Sequence, residues 1–162
     1  VDPVGGPEVG TVGLLTLPGV VVGEAVETGD GSAAVEQPLG EVRSDDGNLA
    51  VSLRLPTELG GPGGGTNPEQ LFAAGYAACF HGVLCLLAER LGIPVQDVVV
   101  RVSVAFGRDP VDGMFMLTSD IRIHLHGVER HVAEELVRNA ERACPYTKLA
   151  QQGMTSTVAL AP

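Results

Sequence analysis

The longest apolar stretch of the chain runs through residues 71–87 and predicts an α-helix that is apolar on nearly every face. Polar residues are sparse until Glu89 and Arg90, and Gly92 followed by Pro94 predicts the end of the helix. A helix of this kind must be buried on nearly every face. We therefore expect it to form the centre of the fold.

The start of this helix has two interpretations. Thr66 can act as the N-cap, with Glu69 closing a capping box. Alternatively, Asn67 caps the helix and Pro68 takes the first helical position, where the missing N–H of proline costs nothing. Both interpretations predict that the helix begins directly after a glycine-rich loop.

Alternating apolar and polar residues predict strands before and after the central helix. A second helix is predicted at residues 128–143 from its helical spacing. The predicted strands are residues 20–28, 41–44, 49–55, 98–106, 115–125 and 155–160. This order of elements predicts an α+β fold with a largely antiparallel sheet.

Length and charge limit the class of protein. The 162 residues fit one domain, which we place at residues 20–162, behind an N-terminal tail or extension at residues 1–19. A net charge of −10 argues against nucleic acid and anionic membrane surfaces as partners. A run of about eighteen uncharged apolar residues is not found, so no membrane span is predicted. The N-terminus also lacks the pattern of a signal peptide, and we expect a cytoplasmic protein.

Three cysteines are too few, and odd in number, for the disulfide scaffold of a secreted protein. In a cytosolic protein such cysteines are more often inert, catalytic or redox-active. Cys79 lies in the apolar middle of the central helix, and Cys144 lies at the end of the second helix because Pro145 disfavours helical geometry at the residue before it. Each thiol can also simply pack as a small apolar side chain.

Two segments resemble signatures of one known family. Residues 65–80 read GTNPEQLFAAGYAACF and residues 143–146 read ACPY. Both resemble the Ohr branch of the Ohr/OsmC family, the organic hydroperoxide resistance proteins, and the likeness extends from about residue 20 to residue 160. The resemblance implies an OsmC/Ohr-like α+β fold, with mostly antiparallel sheets around a buried central helix. It also implies an intertwined homodimer with active sites at the subunit interface.

The resemblance implies an enzyme, a thiol-dependent peroxidase that reduces organic hydroperoxides, including those of fatty acids, to alcohols. Cys79 matches the peroxidatic cysteine of the family and Cys144 its resolving cysteine. Glu69 matches the carboxylate that orients the arginine beside the reactive thiol, besides its capping role. A dithiol such as a lipoylated protein restores the pair, and no cofactor or metal is needed.

The family arginine is missing at its expected place. The family carries it in a Gly-Gly-Arg-Asp-Gly turn after the first strand, whereas residues 27–31 here read ETGDG. Arg43 and Arg54 are the nearest basic residues on the adjoining strands, and we prefer Arg43 as the substitute cation. Without a cation, the buried thiol of Cys79 ionises less readily. The rival function is accordingly a weakened protein that binds a lipid-like ligand or senses redox state.

Other candidate residues favour structural roles. Cys85 has no role implied by the family and is interpreted as a core residue. His81 is two residues from Cys79, and side chains at that spacing point to different sides of a helix. His124 and His126 share one strand face, but no third ligand with suitable spacing completes a metal site.

Overall fold

The computed structural model describes residues 24–26 and 40–160. These residues fall into two compact units, divided between Thr66 and Asn67. The predicted tail at residues 1–19 and the turn at residues 27–31 lie outside the described residues. The assignment of residues 20–162 to one domain stays a prediction.

The first unit contains a small antiparallel sheet. Strands β1 (Glu24–Val26), β2 (Gly40–Arg43) and β3 (Ala50–Leu53) are ordered β1-β2-β3, and a short 3₁₀ helix follows at Thr57–Leu59. These strands confirm the predictions at residues 41–44 and 49–55, and the described part of residues 20–28 agrees as well.

The turn between β2 and β3 is closed by side-chain hydrogen bonds around Asp46. Its carboxylate accepts hydrogen bonds from the hydroxyl of Ser44 and from the backbone N–H of Asn48, the latter at 2.9 Å. The Ser44 hydroxyl, followed by the Asn48 groups, lowers the pKa of Asp46 to about 2. Gly47 takes φ +72°, a conformation that glycine adopts without strain.

The second unit contains three helices and a β-hairpin. Helix α1 (Pro68–Arg90) is followed by the antiparallel strands β4 (Gln96–Arg108) and β5 (Phe115–His126), then by α2 (Arg130–Ala143) and α3 (Pro145–Gln152). These elements confirm the predicted α+β fold. Helix α3 was not predicted, and the predicted strand at residues 155–160 is wrong, because residues 153–160 form no regular secondary structure.

Helix α1 starts with Asn67 as its N-cap. The side chain of Asn67 accepts a hydrogen bond of 2.8 Å from the backbone N–H of Gln70, and Pro68 is the first helical residue. The capping box of Thr66 and Glu69 is therefore wrong, because Glu69 is the second residue of the helix rather than the third. Helix α1 ends at Arg90, as predicted from the glycine that follows.

The core of the second unit is built on one stripe of α1, at the spacing of residues that share a helix face. Helix α2 covers this stripe, and the apolar face of the β4–β5 hairpin packs against it. The buried residues are Tyr76, Phe80, Leu84, Ala88, Leu136, Ala140 and Cys144.

The other faces of α1 are less buried than predicted. Leu86 is 45% exposed, and Ala74 and Ala78 are exposed. Helix α1 is also long and apolar enough, with a mean hydropathy of 1.9, to cross a membrane by length and composition. The sequence prediction that no such stretch exists is therefore wrong. Helix α1 packs against β4 and α2, and 22% of its apolar window is buried in the structure.

Candidate active site

The sulfur atoms of Cys79 and Cys144 lie 3.7 Å apart in the second unit. Cys79 is half-buried in the middle of α1, and Cys144 is buried with 1% of its surface exposed. Both are free thiols. The arrangement places two thiols within contact distance but without a bond, so it can form a disulfide after a small movement.

Cys144 is held at this place by the junction of α2 and α3. It is the C-cap of α2, where its N–H donates to the carbonyl of Ala140 at 2.9 Å, and it is also the N-cap of α3. Its backbone is extended, with φ −76° and ψ 119°, as expected before Pro145. The buried residues Leu136 and Ala140 pack α2 onto α1 and thereby bring this junction to Cys79.

Aromatic rings pack the first turn of α3 against α1. The ring of Tyr146 lies 5.8 Å from that of Tyr76 and 6.1 Å from that of Phe72, measured between ring centroids. The hydroxyl of Tyr76 donates a hydrogen bond of 3.1 Å to the hydroxyl of Thr147. These contacts fix the first turn of α3 against α1.

Burial raises the pKa of the Cys79 thiol above its ordinary value. A hydrogen bond from the backbone N–H of Tyr146 acts in the opposite direction, and the neighbouring Cys144 adds to the increase. Within residues 67–160, none of the groups that move this pKa is a cation. The sequence analysis did not predict that the N–H of Tyr146 acts on Cys79. Pro145 in the first helical position was the signal for a helix starting there.

Glu69 lies in the second unit together with Cys79, whereas Arg43 lies in the first unit. Glu69 is half-buried in the first turn of α1, ten residues before Cys79, which corresponds to about 15 Å along the helix axis. A carboxylate at that distance acts on Cys79 only through a bridging group. Arg43 belongs to the first unit, where it forms an ion pair of 2.8 Å with Glu41 and its side chain is 67% exposed.

Comparison with known proteins identifies the family. The sequence profile of the OsmC-like proteins matches residues 61–159. The chain belongs to the OsmC-like family. It is 41% identical over 125 residues to an organic hydroperoxide resistance protein of Xanthomonas axonopodis pv. citri, a match that covers 75% of this chain and 86% of that relative.

Further relatives agree with this assignment. The chain is 41% identical over 110 residues to the organic hydroperoxide resistance protein-like 2 of Staphylococcus epidermidis, which covers 67% of this chain and 78% of the relative. A crystal structure of an organic hydroperoxide resistance protein OsmC from Legionella pneumophila has a TM-score of 0.68 and 36% identity, covering 83% of this chain and 93% of that one. The family resemblance predicted from the sequence is confirmed, and the names of these relatives support a role in organic hydroperoxide resistance.

The third cysteine of this OsmC-like protein lies away from the pair. Cys85 is half-buried, lies outside the core cluster and contacts the exposed ring of His81, with 3.7 Å between its sulfur and Nε2. The interpretation of Cys85 as a core residue is therefore wrong. His81 faces Cys85 rather than Cys79, because residues four apart share a helix face.

The paired histidines of β5 lie on its exposed face. His124 and His126 line a groove of about 580 Å³ between β5 and α2, together with Glu134 and Arg138. Glu134 forms an ion pair of 2.8 Å with Arg130. In residues 24–26 and 40–160, no group of three or more His, Cys, Asp and Glu side chains is arranged to hold a metal ion.

Proposed function

We propose that this chain is a thiol-dependent peroxidase that reduces organic hydroperoxides to alcohols. The observation that supports this most directly is the separation of 3.7 Å between the sulfurs of Cys79 and Cys144. Two thiols in contact carry the two electrons that reduction of one hydroperoxide consumes. The family membership and the names of the relatives support the choice of substrate class.

In the first step, the thiolate of Cys79 attacks one oxygen of the peroxide bond. A sulfur–oxygen bond forms, the oxygen–oxygen bond breaks, and the leaving alkoxide takes up a proton to become the alcohol. Cys79 is thereby oxidised to a sulfenic acid.

In the second step, the thiol of Cys144 attacks the sulfenic sulfur of Cys79. A disulfide forms, and the hydroxyl leaves with a proton as water. A disulfide bond is about 2.05 Å long, so the sulfurs must approach by about 1.7 Å from their present 3.7 Å. A movement of this size requires rotation of side chains and a small shift of the α2–α3 junction.

A dithiol reductant of the lipoyl type returns the pair to its starting state. One of its thiolates attacks the Cys79–Cys144 disulfide, and its second thiol resolves the mixed disulfide, so that the reductant leaves oxidised. A lipoylated protein is accordingly the proposed partner. The proposed setting is the cytoplasm, where thiols are kept reduced.

Ionisation of Cys79 requires help, since burial raises its pKa. We assign this role to Arg43, with Glu69 as the carboxylate that orients it. The support comes from the sequence: Arg43 lies on the strand next to the place of the family arginine. A cation close to a thiol lowers its pKa, commonly by about one to three units for ion-paired groups.

A homodimer is the proposed assembly. Its support is the apolar surface that one chain leaves open on α1 and on the β4–β5 hairpin, since monomeric proteins seldom expose large apolar patches. The exposed side chains are Leu86, Leu91, Phe106, Met114, Phe115 and Leu117. A second copy that packs its α1 against this α1 covers part of this surface.

The raised pKa of Cys79 also favours an alternative to the peroxidase, a catalytically weakened protein. A thiol that stays protonated at neutral pH reacts slowly with peroxides. In that case the apolar site binds a lipid-like ligand, or the disulfide acts as a redox signal. The two candidates differ in the rate of hydroperoxide reduction.

Stopped-flow measurement of hydroperoxide consumption tests the proposal. The wild-type protein is mixed with cumene hydroperoxide or hydrogen peroxide, with dihydrolipoamide as the reductant. We expect faster reduction of the organic hydroperoxide, loss of turnover in Cys79→Ser, and unchanged turnover in the matched control Cys85→Ser. Slow reaction of the wild type with every hydroperoxide contradicts the peroxidase and supports the second candidate.

A further inference from the structure

Two contacts join one face of α1 to residues 144–146, at the junction of α2 and α3. On α1, Gly75 and Cys79 are four residues apart and share one face. Tyr146 lies over Gly75, and Cys144 touches Cys79. The two contacts are therefore neighbours.

Gly75 leaves the space that Tyr146 occupies. A Cβ atom added at Gly75 would lie 3.1 Å from the Tyr146 hydroxyl oxygen and 3.4 Å from the nearest ring carbon. The first distance is tighter than most contacts of a Cβ atom, whereas the second is ordinary contact. A side chain at position 75 thus requires the phenol to shift by a few tenths of an ångström.

The start of α3 also presents a backbone N–H toward Cys79. The helix has no side-chain cap, and its first internal hydrogen bond runs from the N–H of Lys148 to the carbonyl of Cys144. Pro145 has no N–H, so the N–H of Tyr146 is the first donor of the helix. This N–H lowers the pKa of Cys79, which burial raises.

We propose that Tyr146, packed over Gly75, is a positioning residue that sets how closely the sulfur of Cys144 and the first N–H of α3 approach Cys79. This inference rests on the proposed function for its relevance to catalysis. Its physical content is independent of any peroxide, because it concerns the thiol–disulfide equilibrium and the ionisation of Cys79.

The test uses three variants and one matched control. Gly75→Ala introduces the collision, and Gly75→Ala with Tyr146→Phe removes the colliding oxygen while keeping the ring. Gly82→Ala makes the same change in the same helix, at a position where an added Cβ meets nothing within 4 Å. Tyr146→Leu removes the ring without altering α1. It tests the same contact if Gly75→Ala does not fold.

Two measurements are made without hydroperoxide. The first is the equilibrium of the Cys79–Cys144 disulfide with dithiothreitol, in a Cys85→Ser background. The second is the pH dependence of Cys79 alkylation in a Cys85→Ser, Cys144→Ser background. Circular dichroism and light scattering confirm that each variant keeps the wild-type helix content and mass.

We expect Gly75→Ala and Tyr146→Leu to disfavour the disulfide by about tenfold, as for an overpacked or emptied contact, and to raise the pKa of Cys79. The double variant should return both quantities close to wild type, and Gly82→Ala should leave them unchanged. A disulfide equilibrium that Gly75→Ala and Tyr146→Leu do not change overturns the proposal, as does a double variant that stays as impaired as Gly75→Ala. If the wild type shows no peroxidase activity, but the variants change the disulfide equilibrium and the Cys79 pKa as expected, only the proposed function is overturned.

Discussion

Cys79 and Cys144 are separated by 65 residues in the chain and by 3.7 Å between their sulfur atoms. This closeness depends on the packing of α2 against α1 and on the extended backbone of Cys144 between α2 and α3. The pair is poised for disulfide formation while both thiols are still free. The predictions below test what the pair does and what supports it.

Cys144→Ser should trap the oxidised form of Cys79. Without the second thiol, one equivalent of cumene hydroperoxide leaves a sulfenic acid that cannot condense, and dimedone labels it. Mass spectrometry should find one dimedone adduct on Cys79 in this variant. In the wild type it should find an intramolecular Cys79–Cys144 disulfide. A disulfide that contains Cys85 contradicts these roles.

In Arg43→Ala, which lacks the proposed cation, alkylation of Cys79 should accelerate with pH and reach its midpoint above the ordinary thiol value of about 8.5, because burial raises its pKa. The sign for stability follows from this direction. The folded protein keeps a proton that the unfolded chain loses, so the contribution of Cys79 is complete below about 8.5 and is lost as pH rises through the folded value.

The measurement uses iodoacetamide on the Arg43→Ala, Cys85→Ser, Cys144→Ser variant, and urea unfolding of the same reduced protein between neutral and alkaline pH. The matched control is the same variant with Cys79→Ser, whose stability should change less over this range. A midpoint below about 8.5 in Arg43→Ala contradicts the prediction and indicates that a cation other than Arg43 reaches the sulfur.

Arg43→Ala should raise the pKa of Cys79 and slow hydroperoxide reduction without unfolding the protein. The loss of a nearby positive charge disfavours the thiolate, by up to about one to three pKa units. Arg54→Ala is the matched control, since Arg54 is the other basic residue of the adjoining strands. An unchanged alkylation profile in Arg43→Ala dismisses the assignment and leaves the N–H of Tyr146 as the described group that favours the thiolate.

Leu86→Glu should convert a homodimer into monomers. Leu86 is an α1 side chain that a single chain leaves 45% exposed, and a carboxylate buried between two copies carries a large desolvation cost. Multi-angle light scattering at micromolar concentration gives the mass directly. Glu89→Gln, on the exposed side of the last turn, is the control that should stay dimeric. A well-behaved wild-type monomer refutes the proposed assembly.

Leu84→Ala should destabilise the protein strongly. Leu84 has no exposed surface and packs in the core between α1 and its neighbours. Removing a fully buried leucine side chain costs about 2 to 5 kcal/mol, depending on how far the cavity collapses. Leu91→Ala, at a side chain that is 59% exposed, should cost far less. The free energy of unfolding in urea compares the two, and equal losses contradict the described core.

The sequence predicted those parts of the fold whose signals are local. The limits of α1 follow from Asn67, Pro68 and Gly92, which act through hydrogen bonds and backbone angles within a few residues. The alternation of β5 likewise predicted which face is buried, since Ile121 and Ile123 pack on the core. Such signals need no knowledge of the rest of the chain.

The errors concern features that depend on tertiary context. Pro145 was interpreted as the end of one helix, although it is also the first residue of the next. Residues 155–160 have β-forming side chains, but no partner strand is present in the described residues, and Val158 is almost fully exposed. The distance between Cys79 and Cys144 depends on the packing of three helices, so no local pattern could supply it.

The glycines of α1 have different consequences for engineering a more heat-resistant variant. A glycine inside a helix destabilises it by about 0.5 to 1 kcal/mol relative to alanine. At Gly82 the chain leaves an added methyl group free of contacts, so this loss can be recovered by substitution. At Gly75 this gain is opposed, because the Cβ of alanine there lies 3.1 Å from the hydroxyl oxygen of Tyr146. The stability gained by alanine at position 75 is therefore limited by how far the Tyr146 ring can shift.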